Sequence, residues 1–255
     1  MEYSRYFLEF SYVGTAYHGW QRQPNAISIQ EVMEDAFQVL LKHQCELTAA
    51  GRTDTGVHAR QMIAHFDTNP SIQEFDQLIF RLNQFLPKDI AIQSIKPVKK
   101  EAHARFDALS RTYEYHLVQK KSPFKLGTTY CLIQHLDFNA MNAAAKILLE
   151  YEDFECFSKS NTDVKTFLCS IKRAEWNKLE ETYIFTITAN RFLRNMVRAI
   201  VGTLIEVGLG KKKIQEMHQI IQSKNRSLAG YSVPAEGLFL TQIYYPDTIY
   251  LDNNG

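Results

Sequence analysis

Cysteine is scarce and scattered in this chain of 255 residues. Its four cysteines stand far apart and form no CxxC pair: Cys45, Cys131, Cys156 and Cys169. A zinc site needs closely spaced Cys and His ligands, and a disulfide scaffold needs more cysteine per residue. The sequence therefore argues against a structural zinc protein and a disulfide-rich secreted domain, and it predicts reduced thiols.

Long apolar runs are missing as well. A membrane-spanning helix needs about 20 consecutive apolar residues, and no stretch of this sequence reaches that length. Residues 1–5, MEYSR, do not show the basic and then apolar order of a signal peptide. We therefore expect a cytoplasmic protein that is not anchored in a membrane.

Neither sign of charge dominates, because 29 basic and 28 acidic residues leave a formal net charge of +1. This balance does not by itself indicate a nucleic-acid partner. Basic residues nevertheless form local clusters: Lys99 and Lys100 with Arg105, Lys120 and Lys121 with Lys125, Arg191 with Arg194 and Arg198, and the lysines at 211–213. Any one cluster is explained by a solvated surface, and together they hint at phosphate binding.

The predicted elements divide the chain into two halves with the same order of strand, helix, strands, helix and strand. Alternating apolar residues predict a strand over residues 5–12, and Ser28 with Glu31 forms a capping box that opens a helix ending near residue 43. A charged segment after Pro97 marks the boundary between residues 1–97 and 98–255. This pattern favours an α+β protein whose two related halves share a sheet, with a groove between them.

The second half contains an aromatic strand and an arginine-rich helix. Period-two spacing over residues 111–118 puts Arg111 and Tyr113 on one strand face, which either packs in the core or borders a cleft where a tyrosine ring stacks on a base. Asn190 is predicted to cap a long helix that carries Arg191, Arg194 and Arg198 in one stripe. Arg198 would then lie at the margin of burial, where a guanidinium needs a carboxylate.

The segment GRTDTGVHA, residues 51–59, is the most informative stretch of the chain. Gly51 and Gly56 allow positive φ, so the turn can present Asp54 outward, between Arg52 and the potential cation His58. One interpretation is a surface loop in which Asp54 bonds its own backbone in an Asx-turn. The other is an active site, because a positioned carboxylate with cationic neighbours is typical of one.

Taken together and in order, the motifs from residue 12 to residue 240 resemble those of the tRNA pseudouridine synthase A family. The matching segments are residues 51–59, the glycine-tryptophan loop at 14–21, the stretches 103–106 and 111–115, the segment 192–202 and the segment PAEGL at 234–238. Two positions depart from the family pattern. Val13 stands where aspartate is common in the family, so the contacts of the glycine-tryptophan loop are expected to differ there. Thr55 stands where alanine is usual.

The resemblance implies a role for each matched residue. Asp54 is the catalytic carboxylate, Tyr113 stacks on the target uracil and serves as the base for its C5 proton, and Arg198 pairs with Asp54. Arg52 helps to hold the flipped nucleotide, and Leu238 lines the apolar wall of the pocket. Three further arginines complete the expected substrate-binding set: Arg22, Arg105 and Arg111.

The resemblance also implies the fold, the partners and the reaction. The fold would be the α+β pseudouridine synthase fold, with two related halves, a shared mixed or antiparallel sheet flanked by helices, and a central basic cleft. The protein would be a homodimeric isomerase without cofactor or metal. It would convert uridine to pseudouridine at positions 38, 39 and 40 in the anticodon stem-loop of tRNA.

The reaction suits these residues, although other readings of them exist. Isomerisation consumes neither electrons nor water, and a carboxylate either attacks covalently or assists a glycal intermediate. One alternative is an RNA-binding module without catalysis. Another is a hydrolase or metal enzyme that uses Asp54 with His58, although the sequence pattern lacks a third ligand.

Overall fold

The computed structural model describes residues 3–159 and 164–251. The chain forms two compact units. Unit 1 comprises Met1–Leu109 together with Leu240–Gly255, and unit 2 comprises Ser110–Phe239. The first unit thus runs past the predicted limit at residue 97 and also takes in the carboxyl-terminal segment, which sequence order alone had assigned to the second half.

Unit 1 combines antiparallel strands with two helices. Its elements are β1 (Ser4–Tyr12), α1 (Ile29–Leu41), β2 (Thr48–Ala49), β3 (His58–Thr68), α2 (Phe75–Phe85) and β4 (Ile90–Val98). Strand β1 pairs antiparallel with both β3 and β4, and β2 pairs antiparallel with β3. The predicted helix start at Ser28 is confirmed, because the Ser28 hydroxyl accepts the Glu31 amide at 3.3 Å and so caps α1.

Both helices of unit 1 cover the same face of its strands. Tyr6 of β1 and Phe66 of β3 are opposite each other in the register. The ring of Phe37 on α1 lies 5.1 Å from that of Phe66, and Phe75 on α2 lies 5.7 Å from Tyr6. Because side chains alternate along a strand, the neighbouring His65 points to the face opposite α1 and α2.

Unit 2 has a mixed strand arrangement and three helices. Its elements are β5 (Ser110–Val118), β6 (Tyr130–Cys131), α3 (Phe138–Ile147), β7 (Ile171–Leu179), β8 (Thr182–Ala189), α4 (Met196–Gly208) and α5 (Glu216–Ser223). Strand β8 pairs antiparallel with β5 and β7, and β6 pairs parallel with β5. A last strand, β9 (Leu238–Tyr244), begins in unit 2 and ends in unit 1.

The arginine stripe predicted for the helix of unit 2 is wrong. Helix α4 begins at Met196 rather than after Asn190, so Arg191 and Arg194 precede it and share no helical face with Arg198. The Asn190 side chain instead accepts the amides of Ser170 and Arg191, each at 2.8 Å, and so closes a turn after β8. The competing partner, Ser170, is distant in sequence, so the local pattern did not reveal it.

The α+β class is confirmed by the nine strands and five helices of the described residues. The prediction of reduced thiols also agrees, since all four cysteines are free. Within residues 3–159 and 164–251, no helix combines the length and the apolar character needed to cross a membrane.

Candidate active site

The Asp54 loop, residues 50–57, joins β2 to β3 and holds Asp54 in a half-buried position. The Val57 amide donates to the Asp54 carbonyl at 3.1 Å, which closes a tight turn. Gly56 has φ +77°, as the sequence predicted. The same prediction for Gly51 is wrong, because its φ lies outside the left-handed region and a Cβ there would meet nothing within 4 Å.

A second loop supports the Asp54 loop through main-chain contacts. It comprises the glycine-tryptophan loop at residues 14–21 with the preceding Val13, and it is named here the Gly-Trp loop. The Trp20 amide donates to the Thr53 carbonyl at 3.2 Å, and the Gly56 amide donates to the Tyr17 carbonyl at 3.3 Å. Gly19 makes this approach possible: it has φ +86°, and a Cβ there would lie 2.4 Å from the Thr53 oxygen. A larger residue at Gly19 would therefore displace the turn that carries Asp54.

The side chain of His58 is structural, which corrects its expected place as a second cation beside Asp54. It is fully buried, and its Nδ1 accepts the Gly14 amide at 2.9 Å. A ring nitrogen that accepts a hydrogen bond carries no proton, so this imidazole is neutral. Among the described residues, moreover, no group of three or more His, Cys, Asp or Glu is placed to hold a metal ion. The alternative of a metal site built from Asp54 and His58 thereby loses its support.

Hydroxyl groups brace the base of the Asp54 loop, and Asp89 braces the Gly-Trp loop. The hydroxyls of Tyr12 and Thr53 lie 2.8 Å apart in a buried position. Asp89 accepts the Val13 amide through its carbonyl at 2.9 Å and the Tyr17 hydroxyl through its carboxylate at 2.7 Å. Burial, and then the bond to Asp89, raise the pKa of Tyr17. Asp89 thus holds the Gly-Trp loop, although Val13 has no side-chain carboxylate of its own.

The predicted cations of unit 1 differ in their surroundings. Arg52 and Arg105 are exposed. Arg22 is also exposed, but its guanidinium faces three carboxylates at 3.3 to 3.7 Å: Glu31, Glu34 and Asp35. These carboxylates offset part of the positive potential around Arg22 in the free protein.

In unit 2, Tyr113 lies half-buried on β5 and its ring meets Phe192 edge-on, at 5.0 Å and an interplanar angle of 85°. Arg111, two residues earlier on the same strand, donates to the Asn190 carbonyl at 2.8 Å. Phe192 and Asn190, the two contacting residues, both lie in the segment between β8 and α4. The phenol ring is therefore neither a core residue nor a freely moving one, as expected for a ring that borders a cleft.

Arg198 is one of only two residues of α4 that escape burial, the other being Glu206. Its Nε donates to the Val233 carbonyl at 2.7 Å, and the Val233 amide donates back to the Arg198 carbonyl at 3.3 Å. Because a guanidinium is planar, fixing Nε also fixes the direction of its two terminal nitrogens.

The segment that holds Arg198, named here the Val233 loop (residues 229–237), is fixed by side chains that the sequence did not single out. The Tyr115 hydroxyl donates to the Pro234 carbonyl at 2.9 Å, and Asn195 donates to the Ser232 hydroxyl at 2.6 Å. Tyr115 is fully buried, and burial raises the pKa of its phenol. Its one sequence signal was its place two residues after Tyr113 on the same strand face. The loop leads directly into Leu238, which is buried.

The predicted site residues thus fall into two groups. Asp54, with Arg22, Arg52 and Arg105, belongs to unit 1, whereas Arg111, Tyr113, Arg198 and Leu238 belong to unit 2. Asp54, Tyr113 and Arg198 are each oriented by contacts inside their own unit. The meeting of Asp54 with Tyr113 and Arg198 in one pocket stays a prediction.

Comparison with known proteins decides the family. A family model described as tRNA pseudouridine synthase matches residues 10–107 and 144–246. A tRNA pseudouridine synthase A of Bacteroides fragilis is 49% identical over 251 residues, which cover 98% of this chain and 100% of the relative. This chain belongs to the tRNA pseudouridine synthase family.

Other relatives with the same name agree with this assignment. The protein of Parabacteroides distasonis is 50% identical over 246 residues, which cover 96% of this chain and 98% of the relative. That of Acetivibrio thermocellus is 40% identical over 240 residues, which cover 93% and 98%. The pseudouridine synthase family model takes in Asp54 in its first matched stretch and Arg198 and Leu238 in its second, whereas Tyr113 lies between the two stretches.

Proposed function

We propose that this chain isomerises uridine to pseudouridine in tRNA, at positions 38, 39 and 40 of the anticodon stem-loop. The observation that carries the proposal is the half-buried Asp54 on a turn held by main-chain bonds to the Gly-Trp loop. Membership of the tRNA pseudouridine synthase family supports the substrate and the reaction class, that of an isomerase.

Asp54 supplies the carboxylate that the reaction needs. The bond from C1′ of the ribose to N1 of uracil breaks, the uracil turns, and a bond from C1′ to C5 forms. The C5 proton leaves and N1 is protonated, so the overall change is an isomerisation without net gain or loss of electrons. Asp54 serves either by attacking the nucleotide covalently or by assisting a glycal intermediate. The chemistry requires neither a cofactor nor a metal.

Tyr113 and Arg198 complete the proposed catalytic set. Tyr113 stacks on the extruded uracil and accepts the C5 proton, and its edge contact with Phe192 supports this by holding the ring in one orientation. Arg198 pairs with Asp54, and its Nε bond to Val233 supports this by orienting the guanidinium before substrate binds. Preorganised charges of this kind need no rearrangement during the reaction.

The remaining predicted residues would hold the tRNA. Arg52 contacts the flipped nucleotide and Leu238 forms the apolar wall beside the base. Phosphate contacts come from Arg22, Arg105 and Arg111, although the carboxylates around Arg22 weaken its share. If about four cations contact phosphates, tRNA affinity falls by roughly 100-fold between about 50 and 200 mM salt.

Two further features belong to the proposal. The protein acts as a homodimer, which lets a substrate as large as tRNA be contacted by more than one subunit. It works in the cytoplasm, the compartment expected for a protein with reduced thiols whose substrate is tRNA.

The decisive experiment follows tritium release from tRNA that is labelled at C5 of uracil. We expect release by the wild-type chain and a loss of at least about a thousandfold in Asp54→Asn and Asp54→Ala, because removal of an essential reacting group costs that much or more. Asp76→Asn is the matched control, since Asp76 is an exposed aspartate of the same unit on α2.

The outcomes separate the alternatives. If the chain is an RNA-binding module without catalysis, both the wild-type protein and the Asp54 variants will bind tRNA, and none of them will release tritium. Tritium release by Asp54→Ala at the wild-type rate would show that the reaction does not require Asp54. Loss of activity on addition of a chelator would revive a metal mechanism.

A further inference from the structure

An aromatic column on the face of unit 1 opposite α1 and α2 ends in an exposed ring. The His65 and His103 rings meet at 4.6 Å, and the His103 and Phe106 rings meet at 4.2 Å with an interplanar angle of 36°. His65 is buried, whereas Phe106 is 74% exposed. The column thus begins in the protein interior and presents the outer face of a phenylalanine to solvent.

The turn that carries Phe106 is held by several hydrogen bonds. The amides of Arg105 and Phe106 donate to Nδ1 of His103, at 3.1 and 3.4 Å. The His103 amide donates to the Asp107 carboxylate at 2.7 Å, and the Ala104 amide donates to Nδ1 of His65 at 3.2 Å. The turn therefore holds the ring outward, although an apolar ring on a mobile segment would tend to fold back onto the surface.

The charge over the ring is positive. The Arg105 guanidinium lies over the Phe106 ring, with its carbon 5.8 Å from the ring centre, so a base that stacks there shifts this exposed side chain toward the adjoining phosphate. An aromatic face with a neighbouring arginine is the combination that proteins use for unpaired nucleotides, because the ring stacks on the base and the cation contacts the phosphate.

The column is distant from the Asp54 loop. Strand β3 begins at His58, directly after that loop, and His65 lies seven residues further along it. At about 3.3 Å per residue, this places the column on the order of 20 Å from the start of the strand. The base of the column therefore lies well away from the Asp54 loop, and we expect Phe106 to meet a different nucleotide from the one that reacts at Asp54.

We propose that Phe106 is a stacking platform for a second, unpaired nucleobase of the tRNA, with Arg105 contacting the adjoining phosphate. The inference rests on the proposed function, since it takes tRNA as the ligand. The site anchors the substrate at a distance from the reacting uridine, so it contributes to binding rather than to the chemical step.

A fluorescence experiment tests the contact directly. The chain has two tryptophans, and both are buried: Trp20 is 3% exposed and Trp176 is 4% exposed. In Phe106→Trp, an exposed indole replaces the ring, and we expect its emission to be quenched and shielded from acrylamide when tRNA is added. The matched control is Phe80→Trp, because Phe80 is 65% exposed on α2, on the helix-covered side of the same unit. Its indole should stay accessible with tRNA bound.

A binding and turnover experiment tests the consequence. Loss of one base–aromatic stack should weaken tRNA binding by about 5- to 150-fold. In Phe106→Ala we therefore expect KM to rise by such a factor with kcat largely kept, whereas Phe106→Trp restores KM and Phe80→Ala leaves it unchanged. A merely structural role of Phe106 would not produce rescue by another aromatic ring.

The outcomes distinguish this proposal from the proposed function. If the wild-type chain releases no tritium, the proposed function fails first. If it does, while Phe106→Ala binds tRNA as tightly as wild type, the platform alone is wrong. An introduced indole that is shielded without tRNA, increasingly at higher protein concentration, would show a contact between two copies of the chain and overturn the platform.

Discussion

The Asp54 loop of unit 1 and the Val233 loop of unit 2 both position predicted site residues, but different groups hold them in place. Main-chain bonds to the Gly-Trp loop hold the upper part of the Asp54 loop at Thr53 and Gly56, above one hydroxyl pair. The Val233 loop has one main-chain bond, from the Val233 amide to the Arg198 carbonyl, and relies mainly on side chains, since Tyr115, Asn195 and Arg198 each donate a hydrogen bond to it.

The difference determines how each loop can be broken. Main-chain pairing between two loops requires a close approach, so the Asp54 loop should fail when atoms are added at Gly19. The Val233 loop has a close approach of its own, since a Cβ on Gly202 would lie 1.8 Å from the Tyr231 oxygen. Its distinctive weakness is the removal of a donor, because a buried carbonyl without a partner is costly.

The largest effect is expected from Gly19→Ala. The new methyl group would collide with the Thr53 carbonyl, and alanine is strained at φ +86°. We expect a loss of about 2–4 kcal/mol in the free energy of unfolding, together with loss of tritium release. Urea unfolding and the release assay measure the two effects. A fully stable and active Gly19→Ala protein would contradict the close approach of the two loops.

Tyr115→Phe tests the support that side-chain donors give to the Val233 loop. It leaves the packed ring in place and removes the donor to the Pro234 carbonyl. We expect a loss of about 1–3 kcal/mol in the free energy of unfolding, with lower turnover because Pro234 adjoins the carbonyl that orients Arg198. Tyr244→Phe is the control, since Tyr244 is 46% exposed, and it should change the unfolding free energy by less than about 0.5 kcal/mol.

Unit 1 should also respond to acid through His65. Burial, and then the charge of Arg5, lower the pKa of His65 from 6.5 to about 4. The unfolded chain therefore binds more protons than the folded one between these values, so stability falls as the pH drops from about 6.5 to about 4.

The slope from this one group is at most about 1.4 kcal/mol per pH unit, and chemical unfolding across this range measures it. His103, Asp67 and Asp107 lie near the same ring and also titrate. The contribution of His65 to the pH dependence of stability is therefore the part of the slope that His65→Asn removes. An unchanged slope in that variant would assign the acid response elsewhere.

The smallest effect is expected from Gly51→Ala, the counterpart of Gly19→Ala in the same pair of loops. Gly51 lies outside the left-handed region, and a Cβ there meets nothing within 4 Å. We expect the free energy of unfolding to change by less than about 0.5 kcal/mol. A large loss would show that the two glycines are not distinguished by close approach, and the comparison between the loops would have to be revised.

Local sequence signals predicted much of the fold. The alternating residues of β1 and the Ser28 N-cap of α1 act through neighbours within a few positions, so both predictions were confirmed. The helix start at Asn190 was wrong because Ser170, twenty residues away, uses that side chain. His58 was misjudged for the same reason, since its partner is the amide of Gly14.

The sequence by itself determined the family, the α+β class and the motif that carries Asp54, because these depend on residue types and on periodicities along the chain. Only the tertiary structure decided what holds each site residue: Gly19 against Thr53, Val233 against Arg198, and Tyr115 beneath Pro234. These contacts join residues that are far apart in the sequence. They depend on how the folded chain brings such atoms within hydrogen-bond or van der Waals distance, which no local pattern encodes.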